Sequence, residues 1–205
     1  MTADERDLLL FDLGGVLIEY TGYRDMPALL SEVLTEAEVR QRAIAQAFWP
    51  DFECGRMTPE EFAEAFAAHW PLSVPADRFM LEFGSWVRGL LPGAAETLQE
   101  LRPRYRLAAL SNTNALHWPN VVESLAESGM ERILASHHLG LRKPDPAIYE
   151  RALHELDVAP ERVTFFDDIR VNVEAAQRAG IRAYQVEGIP ALRACLQDLG
   201  YIESV

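Results

Sequence analysis

Four apolar residues, Leu8-Leu9-Leu10-Phe11, run without a polar break and stop at Asp12, Leu13 and the pair Gly14-Gly15. An unbroken run of this length predicts a strand buried on both faces. Paired glycines let the backbone turn sharply and come close to a ligand, so the strand delivers a carboxylate into a loop suited to a site. From about residue 25 to residue 88 the spacing is helical, with little strand character. Thr35-Glu36-Ala37-Glu38 and Thr58-Pro59-Glu60-Glu61 are capping boxes, the first opening a run to Trp49 and the second carrying proline at the first helical position. A third helix is expected after Pro75. Between the first two, residues 48–57 read as an aromatic loop able to close over a pocket, although most aromatics at this spacing serve a core.

The pattern changes at Leu90. Leu91-Pro92-Gly93 opens a helix to about Leu101, and strands are predicted at 105–110, 132–136, 163–166 and 182–186. Helices are predicted at 119–128, from Asp145-Pro146 to about Leu156, at 171–179 and at 189–199. Strand and helix in alternation imply a parallel sheet covered on both faces. The expected fold is therefore α/β: a Rossmann-like, doubly wound parallel sheet of about five strands, with a small helical unit inserted after the first strand. The expected division assigns 1–19 and 89–205 to the core and 20–88 to the helical insertion.

Composition narrows the function. The chain has 205 residues, 49% hydrophobic and 25% charged, which is ordinary for a globular protein and enough for one core with a small insertion. Its formal charge of −13, from 32 acidic and 19 basic residues, sets up a field that repels nucleic acid and anionic membrane surfaces. A small phosphorylated substrate then needs a local positive focus. The acidic residues 1–7 and the short apolar run after them match neither a signal peptide nor a membrane span. Cys54 and Cys195 form no disulfide framework or metal box, which points to a reducing, cytoplasmic setting.

In open parallel sheets ligands bind beyond the carboxyl ends of the strands. There the chain places Asp12 after the first strand and Ser111-Asn112-Thr113-Asn114 after the second. Arg142-Lys143-Pro144-Asp145 follow the third, and Asp167-Asp168 the fourth. Three aspartates crowded together are costly unless a cation lies between them, and hard oxygen ligands of this kind suit Mg²⁺. Lys143, with donors from Ser111 and Asn112, suits the far side of a phosphoryl group.

These four segments resemble, in order and type, the four motifs of the haloacid dehalogenase superfamily. They are Phe11-Asp12-Leu13-Gly14-Gly15-Val16-Leu17, Leu110-Ser111-Asn112-Thr113, Lys143-Pro144, and Phe166-Asp167-Asp168 with Asn172. The resemblance covers almost the whole chain and implies that the insertion is a cap that selects substrate. Within the superfamily the chain looks like the branch of α-glucose-1-phosphatases, with Ser111-Asn112-Thr113-Asn114 and Leu116-His117 as pointers. The resemblance implies an Mg²⁺-dependent hydrolase of small phosphomonoesters. Asp12 would be the nucleophile that becomes an aspartyl phosphate, with Lys143 beside it in the catalytic set. Ser111, Asn112 and Lys143 would bind phosphate. Asp12, the Gly14 carbonyl and Asp168 would hold the metal, supported by Asp167 and Asn172 directly or through water.

One position departs from the pattern. Phosphatases of the superfamily carry a second aspartate two residues after the nucleophile, as general acid and base, and this chain has Gly14 there. Two alternatives follow: metal-independent dehalogenation of 2-haloacids, which in the superfamily also lacks the second aspartate, and a binding or regulatory protein with little turnover. The adjacent Asp167-Asp168 pair argues against the first, because without a cation it repels a carboxylate substrate.

Overall fold

The computed structural model describes residues 6–203, so residues 1–5 of the acidic N-terminal stretch lie outside the described residues. The chain runs through β1 (Leu8–Phe11), β2 (Ile18–Tyr20), α1 (Gly22–Asp25), α2 (Glu36–Ile44), α3 (Phe48–Glu53), α4 (Pro59–His69), α5 (Ala76–Gly84) and β3 (Val87–Leu90). It continues as α6 (Ala94–Leu101), β4 (Arg106–Ser111), α7 (Trp118–Ser124), β5 (Arg132–Ala135), α8 (Ser136–Leu139), α9 (Pro146–Glu155), β6 (Val163–Asp167), α10 (Arg170–Arg178), β7 (Arg182–Gln185) and α11 (Gly188–Asp198).

Five strands form one parallel sheet in the order β5-β4-β1-β6-β7. The order turns back at β1, which pairs with β4 on one side and β6 on the other, and such a reversal opens a crevice at the carboxyl ends of the strands. The unbroken apolar run of β1 serves both faces by strand alternation. Leu9 and Phe11 pack with Leu98, Leu101, Leu192 and Leu196 of α6 and α11, whereas Leu8 and Leu10 pack with Ile148, Tyr149 and Ala176 of α9 and α10.

Helices α1–α5 stand between β2 and β3, which pair antiparallel as a separate two-stranded sheet. Both capping boxes form: Thr35 and Thr58 accept from the backbone of Glu38 and Glu61, whose carboxylates accept in return from the two threonine N–H groups. These helices enclose an aromatic core of their own, in which Phe52 stacks on Phe62 and Phe66 on Phe79, each at 4.1 Å between centroids. Of residues 48–57, expected as an aromatic loop, Phe48–Glu53 form helix α3 and the remainder is turn and loop. Pro50 falls in the first turn of this helix, where a missing N–H costs nothing. Strands β2 and β3 were not anticipated, since three or four residues carry too little periodicity to register. Among the described residues, no helix is long and apolar enough to cross a membrane.

Candidate active site

Strands β1, β4 and β6 end side by side, so Asp12, Ser111 and Asp167 arrive at one crevice. A cavity of about 370 Å³ opens there, lined by Asp12, Gly14, Ser111, Asn112, Lys143, Asp168 and Asn172 from the sheet side. Tyr20, Tyr23, Arg40, Ile44, Trp49, Pro50 and Glu53 line it from the helical side. Every site residue expected from the sequence thus reaches this cavity except Asp167, which is fully buried beneath it.

Lys143, 1% exposed, is the centre of the arrangement. Its Nζ lies 2.9 Å from Asp12 Oδ1 and 2.7 Å from Asp167 Oδ2. Burial works to neutralise it, but the charges of Asp12 and Asp167 outweigh that and raise its pKa above the ordinary lysine value. The Asn112 amide holds the lysine backbone at both ends: Lys143 N donates to Asn112 Oδ1 at 2.8 Å, and Asn112 Nδ2 donates to Lys143 O at 2.9 Å. The Asn112 side chain is therefore engaged in placing Lys143, and Ser111 lines the cavity at the end of β4.

Asp167 is saturated. Its Oδ1 accepts from Ile169 N (2.8 Å) and Asn172 Nδ2 (3.0 Å), and its Oδ2 accepts from Lys143 Nζ and again from Asn172 Nδ2 (3.1 Å). The backbone of Asn172 is held in turn by the Tyr149 hydroxyl, which donates to its backbone carbonyl at 2.8 Å.

Asp168 differs from its neighbour, because its Oδ1 is buried with no hydrogen-bond partner. Burial and the charge of Asp167 push its pKa up to about 6, and burial pushes Asp12 up to about 7 despite Lys143. Asp12, Asp167 and Asp168 each bring a carboxylate oxygen within 4.8 Å of the others. Clustered hard oxygens, one of them orphaned, fit a divalent cation. Gly15 makes the approach possible: with φ +77°, a side chain here would be strained, and its Cβ would sit 2.9 Å from Asp168 Oδ2.

The helical side brings groups that the sequence reading passed over. Arg40 and Ile44 of α2 both line the cavity, and their four-residue spacing was the available signal. His117 is neutral and fully engaged. Its Nε2–H donates to Phe83 O at 2.8 Å, its Nδ1 accepts from Asn114 Nδ2 at 3.0 Å, and burial lowers its pKa to about 4.

A sheet that reverses at β1, with a carboxylate at that point and a lysine and two aspartates converging on it, defines a hydrolase of one family. The family model for haloacid dehalogenase-like hydrolases matches residues 6–180, and the chain belongs to that family. It is 28% identical over 176 residues to a sesquiterpene phosphatase of Aspergillus oryzae, covering 84% of this chain and 85% of that one. It is 22% identical over 187 residues to a D-ribitol-5-phosphate phosphatase of Bacteroides thetaiotaomicron, covering 87% and 91%. A haloacid dehalogenase family enzyme of the same Bacteroides, solved as a magnesium complex, shares the fold with a TM-score of 0.74. It is 24% identical, with 90% and 94% of the two chains covered.

Proposed function

We propose that the protein is an Mg²⁺-dependent phosphatase that hydrolyses small phosphomonoesters through an aspartyl phosphate on Asp12. The observation that carries this reading is the contact of Asp12 with Lys143 in the cavity, next to the orphaned oxygen of Asp168. In this reading the charge of Lys143 favours the ionised, attacking form of Asp12 against the effect of burial, and Lys143 meets the phosphoryl oxygens, with Ser111 beside it. Asp167, held in turn by Asn172, positions Lys143 and helps to keep it charged. Asp12, the Gly14 carbonyl and Asp168 are the groups that would hold Mg²⁺, with Asp167 and Asn172 as support. The ion would supply neutralisation of phosphoryl charge.

Arg40, Arg142 and Lys143 line the cavity and give an acidic molecule the local positive focus that an anionic substrate needs. Residues 20–88 act as the cap that chooses the leaving group, in a protein of the cytoplasm with no nucleic-acid or membrane partner. Sugar and polyol phosphates are the first candidates, in line with the ribitol-5-phosphate phosphatase among the relatives. A second reading rests on Ile44, Ile169 and Val171, three exposed apolar side chains along the cavity, which favour an ester with an apolar part. The relative named sesquiterpene phosphatase accords with it.

The test is a panel of polyol, sugar and prenyl phosphates assayed with Mg²⁺ and with chelator, beside chloride release from 2-haloacids. Mg²⁺-dependent phosphate release without chloride release is expected. Chloride release that persists in chelator would establish the dehalogenase alternative, and inertness toward both substrate classes the binding alternative.

A further inference from the structure

The reaction proposed above needs a proton for the departing oxygen and a base for the water that follows, and Gly14 can supply neither. The cavity offers few replacements. Asp12 and Asp168 are already assigned, Asp167 is fully buried with both oxygens saturated, and Lys143 is held between two carboxylates. Both ring nitrogens of His117 are engaged. Burial raises the hydroxyls of Tyr20 and Tyr23 above the ordinary tyrosine value, which suits neither to work near neutral pH. Among the described residues, the one remaining carboxyl on the cavity wall is Glu53, at the end of α3.

Its setting is that of a positioned group. The side chain is 14% exposed, and Trp49 Nε1 donates to Oε1 at 3.2 Å. Oε2 lies 2.8 Å from Arg142 Nη2, yet it has no aligned hydrogen-bond partner. Although Glu53 belongs to the helical insertion, its backbone is tied to the sheet domain. Ser136 Oγ lies 2.6 Å from Glu53 O and 2.9 Å from Thr113 O, just beyond β4. Gly55, at φ +67°, packs so closely on the His137 carbonyl that a Cβ would collide with it. The carboxyl is thus fixed relative to the strand ends that carry Ser111 and Asp12.

We propose that Glu53 is the general acid and base of this enzyme, in place of a side chain at position 14. The inference rests on the phosphatase reading. As an Asp12 oxygen bonds to phosphorus and the ester P–O bond breaks, the leaving oxygen takes the proton of the Glu53 carboxyl. The resulting carboxylate then takes a proton from water as that water attacks the aspartyl phosphate, and the Asp12–phosphorus bond breaks. Asp12 is restored as a carboxylate and Glu53 as an acid, and one water has been consumed. The charged and titratable groups facing Glu53 are Arg142, Lys143, Tyr20, Tyr23 and Cys54. Burial raises its pKa above the ordinary glutamate value, and Arg142 opposes that rise without cancelling it.

Position 14 itself provides a control, because a Cβ there would meet only Tyr20 Cβ at 3.8 Å, an ordinary contact. The experiment compares wild type, Glu53→Gln, and Glu53→Gln combined with Gly14→Asp, on an alkyl phosphate and on acetyl phosphate, with Mg²⁺ and across pH. In Glu53→Gln, kcat/KM for the alkyl ester should fall by about 10²- to 10⁴-fold. For acetyl phosphate, whose leaving group needs no proton, kcat/KM should hold while kcat falls behind a burst. The Glu53→Gln profile should lose a pH limb that wild type shows, and Gly14→Asp should restore the alkyl ester. Equal losses in kcat/KM on both substrates would assign Glu53 a merely structural role and overturn the inference, as would undiminished alkyl activity. A wild type inert on both would instead sink the phosphatase reading on which it rests.

Discussion

Lys143 is the residue on which the site's electrostatics turn, since it separates two carboxylates that would otherwise face each other in a buried space. Removing one member of a buried ion pair leaves uncompensated charge, so Lys143→Ala should cost about 3–5 kcal/mol in urea unfolding as well as activity. A loss under about 1 kcal/mol would mean that the pair behaves as an exposed one. Asp168 has the opposite character, with an oxygen still unpartnered. A ligand that binds only the folded state raises Tm, so Mg²⁺ should stabilise the wild type but not Asp168→Ala in a thermal scan. Equal shifts in the two proteins would place the ion elsewhere.

At the scale of elements, the contact between α5 and the segment after β4 is made by His117, which stacks on Phe83 at 4.5 Å and donates to its carbonyl. Its folded pKa of about 4 lies below the ordinary value of 6.5, so the unfolded chain takes up a proton first as pH falls. The stability that follows is fully present above pH 6.5 and is lost as pH drops toward 4, by roughly 3 kcal/mol. An NMR titration should find two of the five histidines, His117 and the half-buried His137, neutral down to about pH 4. A set titrating entirely near 6.5 would contradict the geometry. Gly55 holds the neighbouring contact, where α3 meets α8. A side chain there meets both the left-handed backbone and the His137 carbonyl, so Gly55→Ala should destabilise by more than about 1 kcal/mol and speed hydrogen exchange in α3. Exchange unchanged from wild type would show that the contact is not needed.

The same elements show what could be read without coordinates. The β1 run, both capping boxes and the Asp145 cap were legible because each is local: its chemistry lies within four residues. Helix α3 is hard to read from the sequence, since a proline such as Pro50 occurs equally in a loop and in the first turn of a helix. The pairing of β2 with β3 joins residues about seventy positions apart and leaves almost no trace in either segment.

For the molecule as a whole, the parallel sheet followed from strand and helix in alternation, and its strand ends supplied the expected site residues. What stayed hidden was the division of labour within the site. Nothing local in the sequence shows that the side chains of Asn112 and Asp167 both hydrogen-bond Lys143, a relation that exists only across strands. The proposed chemistry turns on the transfer of the phosphoryl group to Asp12. It is tested most directly by rapid acid quench of a single turnover with a labelled phosphomonoester and Mg²⁺, followed by peptide mapping of wild type and Asp12→Asn. If Asp12 carries the phosphoryl group, a transient, hydroxylamine-labile label should appear on the Asp12 peptide of wild type. No label should appear in the folded Asp12→Asn variant, whose turnover should fall below about one thousandth of wild type. Phosphate release from Asp12→Asn at the wild-type rate, with no peptide labelled in either protein, would contradict that transfer.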